Sequence, residues 1–421
     1  MRPPVGTGLE EIEGELAVDS SASLLYDWRP LGQLLMLAAT LGLSVWAWIW
    51  TRAGESATRL DRLSKLSALT LFLCFDLILI GSFTRLSDSG LGCPDWPGCY
   101  GWVSPVGASA NIDLAQAQMP SGPVTLQKAW IEMVHRYTAM TLGFLILLMA
   151  VQTWALKRAT DKATAHGGDA WTPQVKVSVG MSVLTLLWVL VQGLFGALTV
   201  TTRLFPLIVS LHLMGGMVLL VLLVCQREGY RLELLRVRGG EPGIANREQR
   251  SSARGPSLGF LVKLCMVALA LQIFLGAWVS TNYAVLACEG FPTCQGSFWP
   301  EMNLRAGFEL WRPLGFSGAG EVLEFKALVA IHFVHRFMAL GVTLLLVWLI
   351  QKLFSLGERK WARWVAFLLL IQIASGLSNV VLGWPLLGAL AHTGGAAGLV
   401  VCLTSILLAL KGEAAREPPL G

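Results

Sequence analysis

Charge is scarce in this sequence. Asp, Glu, Lys and Arg together make up 14% of its 421 residues, where a soluble globule carries about a quarter. The deficit excludes an ordinary water-soluble domain and points to lipid as the main solvent. A basic n-region is missing too: the N-terminal tail carries Glu10, Glu11, Glu13 and Glu15, so no cleavable signal peptide is expected. The net charge of +5 does not imply a nucleic-acid partner, because the positive residues sit in short connections between apolar runs.

Hydrophobic residues reach 54%, with 17 Trp, a residue that favours the membrane–water interface. Nine apolar stretches approach or exceed the ~20 residues needed to cross a ~30 Å hydrocarbon core. They lie near 31–51, 66–84, 130–154, 176–200, 207–226, 259–280, 326–350, 361–382 and 386–410. Residues 1–29 read as a tail. Most of the Lys and Arg fall in connections 51–65, 155–176, 226–263, 351–363 and 411–421, and few in the alternating set. The positive-inside rule then sets the N-terminus periplasmic and the C-terminus cytoplasmic, in a bacterial inner membrane.

With the first helix set aside, the remaining eight divide into two matching sets of four. Gly81 precedes Cys93 by twelve residues and Gly276 precedes Cys288 by the same interval. Each cysteine opens a C-x5-C, Cys93 with Cys99 and Cys288 with Cys294. Glu132-Met-Val-His135-Arg136 is matched by His332-Phe-Val-His335-Arg336, and Gln192 and Gln372 each stand twenty residues before His212 and His392. An even number of helices per repeat predicts two bundles related by an axis along the membrane normal. The expected fold is thus all-α, with two pseudo-symmetric four-helix transmembrane bundles and one extra N-terminal helix. The expected segments are 1–62 (tail and extra helix), 63–228 (first bundle), 229–258 (cytoplasmic linker), 259–411 (second bundle) and 412–421 (tail).

Of six histidines, His166 lies in a polar loop and reads as solvated. The other five lie in the outer-leaflet parts of membrane helices. An isolated imidazole there usually caps a carbonyl or bonds to a neighbouring helix. A duplicated pair at matched positions, His135 with His212 and His335 with His392, points to ligation instead, since ionisable groups in membrane helices are costly. Two neutral imidazoles facing across a bundle core suit the axial positions of haem iron. Zinc fits less well, because it wants four N, S or O ligands and each half offers two matched histidines plus cysteines in a different compartment. Arg85, Arg136, Arg203 and Arg336 are candidates to pair with haem propionates, although Arg85 and Arg203 fit interfacial snorkelling equally well.

Glu132 breaks the symmetry. It shares a helical face with His135 but is replaced by His332 in the second half. A plain ion pair with Arg136 would account for it, and so would proton handling beside a bound substrate. Cys93–Cys99 and Cys288–Cys294 lie in periplasmic loops, where disulfides are the default. Cys74, Cys225, Cys265 and Cys402 lie in apolar helices and read as core filler.

The run Thr84-Arg-Leu-Ser-Asp-Ser-Gly-Leu-Gly-Cys-Pro-Asp-Trp-Pro-Gly-Cys99, followed by Glu132-x-x-His135-Arg136, resembles the haem A synthases. The second-half cysteine pair, His335-Arg336 and His392 fit the same family, and the resemblance covers roughly residues 63–410. It implies oxidation of the C8 methyl of haem O to a formyl group, giving haem A for terminal oxidases. His135 and His212 would hold the substrate haem O, Glu132 would be the catalytic carboxylate, and His335 and His392 would ligate a haem b cofactor. Expected partners are the lipid bilayer, a protohaem farnesyltransferase, cytochrome oxidase assembly factors and further copies of the chain. The helix at 31–51 departs from the family's eight-helix core. The main alternative is a quinol-linked dihaem b-type electron carrier, which leaves Glu132 unexplained. A transporter or an assembly scaffold are further readings.

Overall fold

The computed structural model describes residues 29–54, 56–165, 176–239 and 248–414. His166 and most of the N-terminal tail lie outside them. The described chain is helical: α1 (Arg29–Arg52), α2 (Arg59–Leu86), α3 (Ser109–Gln118), α4 (Leu126–Ala165), α5 (Val179–Thr201), α6 (Pro206–Val237), α7 (Glu248–Thr281), α8 (Leu304–Gly307), α9 (Phe325–Ser355), α10 (Arg359–Val381) and α11 (Leu386–Ala414). Nine of these, all but α3 and α8, are long and apolar enough to cross a membrane. The chain is a multi-pass membrane protein.

Local chemistry sets several of the helix ends. Thr58 and Asp61 form a reciprocal capping box at the start of α2, with the Thr58 amide donating to Asp61 Oδ2 at 2.9 Å. Ser178 accepts from the Met181 amide to start α5. Pro206 stands in the first turn of α6, where its missing N–H leaves no bond unmade. Two turns with left-handed residues, Arg203–Leu204 and Gly383–Trp384, join α5 to α6 and α10 to α11.

The apolar-run estimate underestimates some helices. α6 continues to Val237 and α7 begins at Glu248, so helix occupies much of the segment read as a linker over 229–258. Hydropathy fades there, but ion pairs one turn apart take over: Arg231 to Glu228 and Arg236 to Glu233, each at 2.6 Å.

Within the first set of four, α2 packs on α4 and α6, and α5 packs on both α4 and α6. In the second, α7 packs on α9 and α11, and α10 packs on both α9 and α11. The pairing scheme is the same in both. The sets meet where α2 touches α11 and α6 touches α7 and α11. Two of these contacts carry a hydroxyl pair: Ser82 with Thr393 at 3.1 Å between α2 and α11, and Ser210 with Thr281 at 3.2 Å between α6 and α7. One continuous apolar core runs through both sets, including Leu66, Ile146, Leu220, Val262, Leu349 and Leu403. α1 lies outside this ring, against α4 and the edge of α2.

Candidate haem-binding and catalytic site

Disulfides close both C-x5-C loops, Cys93–Cys99 and Cys288–Cys294. Each loop is held to the following long helix by an arginine. Arg136 donates to the carbonyls of Asp95 (2.9 Å), Pro97 (3.2 Å) and Gly98 (2.5 Å), and makes a longer contact to Cys93 O at 3.4 Å. Arg336 donates to the carbonyls of Cys288 (2.5 Å), Gly290 (2.8 Å) and Thr293 (3.3 Å). The five N–H donors of a guanidinium suit such a cluster of carbonyls. Two of the four propionate candidates therefore spend their donors on their own loops.

The residue one turn before each arginine completes the clamp. Glu132 is buried, with 4% of its surface exposed. It takes a bond from Arg136 on Oε1, and Oε2 accepts from the Cys93 amide at 2.8 Å. His332 is also buried, and its Nε2 accepts from Arg336 Nε at 3.2 Å. The i, i+4 pairing expected as the plain explanation of Glu132 is therefore present. It also joins the carboxylate directly to the disulfide loop.

The remaining two arginine candidates lie at the rim. Arg85 reaches from α2 across the seam, donating to Ser280 O at 2.6 Å and stacking over the Tyr283 ring at 4.1 Å. Tyr283 in turn donates to Asp88 at 2.6 Å. Arg203 is exposed in the left-handed turn before α6.

His135 and His212 come from α4 and α6, and His335 and His392 from α9 and α11. Within each pair the rings lie in electrostatic reach of one another. All four are half-buried. Each ring lies against a glycine of an adjacent helix. A Cβ on Gly81 would come 3.0 Å from Nε2 of His135, and one on Gly276 would come 3.1 Å from Cε1 of His335. The corresponding distances are 3.2 Å for Gly376 with His392 and 3.5 Å for Gly196 with His212. The absent side chains leave room for the imidazole planes between the helices. Gly81 and Gly276 stood out in the repeat. Gly196 and Gly376, each four residues after the matched Gln192 and Gln372, did not.

These residues fit an iron porphyrin. Imidazoles are the only metal-ligating groups in each pair, and Nδ1 of His212 is buried without a hydrogen-bond partner. Among the described residues no three of His, Cys, Asp and Glu gather closely enough to hold a bare metal ion. Two axial imidazoles per porphyrin need no third ligand from the protein.

One buried charge was not anticipated. Arg312, in the loop between α8 and α9, has none of its surface exposed. It donates to Asn282 Oδ1 at 2.6 Å and to Phe316 O at 3.3 Å, and stands 5.7 Å from the Trp278 ring. Burial pulls its guanidinium below the ordinary arginine value. Nothing in the local pattern distinguishes it from an exposed loop arginine.

A family model described as cytochrome oxidase assembly protein matches residues 64–404. A relative named "Heme A synthase" from Shewanella oneidensis is 35% identical over 349 residues, covering 82% of this chain and 96% of its own length. Relatives of the same name from Caulobacter vibrioides and Halalkalibacterium halodurans are 26% and 25% identical, covering 83% and 75% of this chain and 97% and 86% of their own.

Proposed function

Because this chain belongs to the cytochrome oxidase assembly protein family COX15-CtaA, we propose that it works as a haem A synthase, an oxidoreductase acting on haem O. The observation that carries the reading is the pairing of two equivalent histidine sites with one carboxylate, Glu132, present in the first half only. A pure electron carrier needs both histidine pairs and has no use for that difference.

In this reading His135 and His212 bind the iron of haem O and present its C8 methyl group near Glu132. Taking a methyl to a formyl group removes four electrons and adds one oxygen atom, by successive hydroxylation. With His135 and His212 both engaged in holding that iron, the added oxygen would come from water or hydroxide. Before each hydroxylation two electrons and a proton would leave the substrate carbon, the electrons passing towards the external acceptor, and Glu132 would accept the proton released as oxygen adds to that carbon. Both oxygens of Glu132 are bonded in this structure, and each keeps a lone pair that can take that proton. Haem b, held by His335 and His392, would supply one-electron transfer towards an external acceptor.

The two sets of four helices act as pseudo-symmetric bundles about an axis along the membrane normal. The Lys and Arg distribution supports an orientation with the disulfide loops on the periplasmic side, the N-terminus outside and the C-terminus inside. Candidate propionate partners at that rim are Arg85 and Arg203, since Arg136 and Arg336 already serve the loops.

The test is to express the full chain beside a haem O-producing farnesyltransferase, purify it in detergent, and analyse acid-extracted haems by chromatography with mass detection. Haem A or its hydroxylated precursor beside haem b supports the synthase. Two equivalents of haem b with no modified haem support the electron carrier.

A further inference from the structure

The four histidines are furnished differently in the two halves. Nδ1 of His392 lies 3.1 Å from Ser375 Oγ on α10. That hydroxyl also lies 2.5 Å from Ile371 O, a carbonyl that only accepts. Its one hydrogen is committed there, so Ser375 can only accept from the imidazole. His392 is thereby held as the Nδ1–H tautomer, with the Nε2 lone pair free for iron.

His335 has a comparable neighbour. The side-chain nitrogen of Gln272, on α7, lies 3.0 Å from its Nδ1 and 3.4 Å from its Nε2, and donates to the His335 carbonyl at 3.2 Å. Gln272 Oε1 is buried without a partner. The amide ends are alike in shape, so turning the group over sets its oxygen against an Nδ1–H, in exchange for the bond to the His335 carbonyl. Both second-half rings thus have a polar side chain within hydrogen-bond distance of Nδ1.

The first half has neither. Gln272 stands four residues before Gly276, and Leu77 stands four before Gly81. Ser375 stands one residue before Gly376, and Phe195 stands one before Gly196. Leucine and phenylalanine offer no acceptor. Consistently, Nδ1 of His212 is buried and unpartnered.

We propose that Gln272 and Ser375 are positioning residues that lock His335 and His392 as permanent axial ligands of a resident haem, while Leu77 and Phe195 leave His135 and His212 unlocked so that a haem can be taken up and released. A hydrogen bond at the outer nitrogen fixes the tautomer and orientation of a ligating imidazole and raises its basicity. Losing one costs about 10–100-fold in affinity. A cofactor site benefits from that hold, and a site whose haem is both substrate and product does not. The inference rests on the synthase reading for the purpose of the difference, but its test uses protohaem alone.

The experiment loads the full chain with protohaem in detergent, follows transfer to apomyoglobin, and measures the reduction potentials of the bound haems. Two release phases are expected, the slow one lost in His392→Ala and the fast one in His212→Ala. Ser375→Ala and Gln272→Leu should each accelerate the slow phase about 10–100-fold, and should raise the potential of that haem, because a less basic imidazole stabilises ferric iron less. Ser375→Thr should restore both, which a purely structural role would not predict. The reciprocal Leu77→Gln/Phe195→Ser variant should slow the fast phase. Equal release from the two wild-type sites, or an unmoved slow phase and potential in Gln272→Leu/Ser375→Ala, would overturn the proposal. Failure to form haem A from haem O is read in a separate assay and would strike the proposed function, not these release rates.

Discussion

Arg136 bonds to Glu132 one turn earlier on α4, and the same guanidinium holds the Gly98 carbonyl at 2.5 Å. Glu132 answers by accepting from the Cys93 amide. Carboxylate, arginine and disulfide loop therefore form one hydrogen-bonded unit, with its matched counterpart built on His332 and Arg336.

Glu132→Gln should keep the loop bonds in part and lose haem A formation by a factor of about 100 or more, the usual contribution of a positioned acid or base. Haem b content should stay normal. Glu132→Ala should in addition lower stability by about 3–5 kcal/mol, because it leaves a buried guanidinium without its partner. Haem extraction and thermal unfolding in detergent separate the two effects. Full turnover in Glu132→Gln would remove the carboxylate from the mechanism.

The glycines predict a graded series. Alanine at Gly81, Gly276 or Gly376 places a Cβ within 3.0–3.2 Å of a ligand imidazole, which must shift by tenths of an ångström. Each should weaken the low-spin spectrum of its own site. Gly196→Ala meets His212 at 3.5 Å, an ordinary contact, and should be nearly silent. Visible absorption of the protohaem-loaded variants checks the order, and equal effects at all four positions would contradict it.

Opening Cys93–Cys99 should act on Glu132 before it acts on haem b. The Cys93→Ala/Cys99→Ala variant loosens the loop whose amide holds the carboxylate, so haem A yield should fall while the His335–His392 site keeps its haem. Cys288→Ala/Cys294→Ala should show the opposite bias, with haem b retention falling first. Haem b measured per chain in both variants decides the matter.

Arg312→Ala should destabilise the protein by about 1.5–3 kcal/mol for each charged hydrogen bond lost, with Asn282 left without its donor. Arg312→Lys should recover only part of this, since an ammonium cannot span both acceptors as the planar fork does. Thermal unfolding in detergent reads the loss, and a silent Arg312→Ala would show the guanidinium to be dispensable.

Much of this was legible in the sequence. Nine apolar runs gave nine long apolar helices, because the bilayer thickness imposes a length that hydropathy reports directly. The cysteine pairs were legible because their spacing is short and duplicated. The partners of Arg136 and Arg336 were not, since a guanidinium serves a propionate or a row of carbonyls equally well and only the folded loop decides. Arg312 carries no local sign of burial. The extension of α6 was missed because that stretch is held by ion pairs one turn apart, not by hydropathy. Gln272 and Ser375 were visible in principle: aligning the halves on Gly276 and Gly376 shows polar residues where the first half has Leu77 and Phe195.

The two hydroxyl pairs at the seams, Ser82 with Thr393 and Ser210 with Thr281, have a consequence for how electrons move. They tie the halves at two separate places, so neither half can rock against the other without breaking those bonds. Alternating access by such rocking is thereby disfavoured. In the proposed mechanism, an electron passing from one histidine pair to the other would then meet the same distance at every turnover. The seams act as a ruler rather than a hinge.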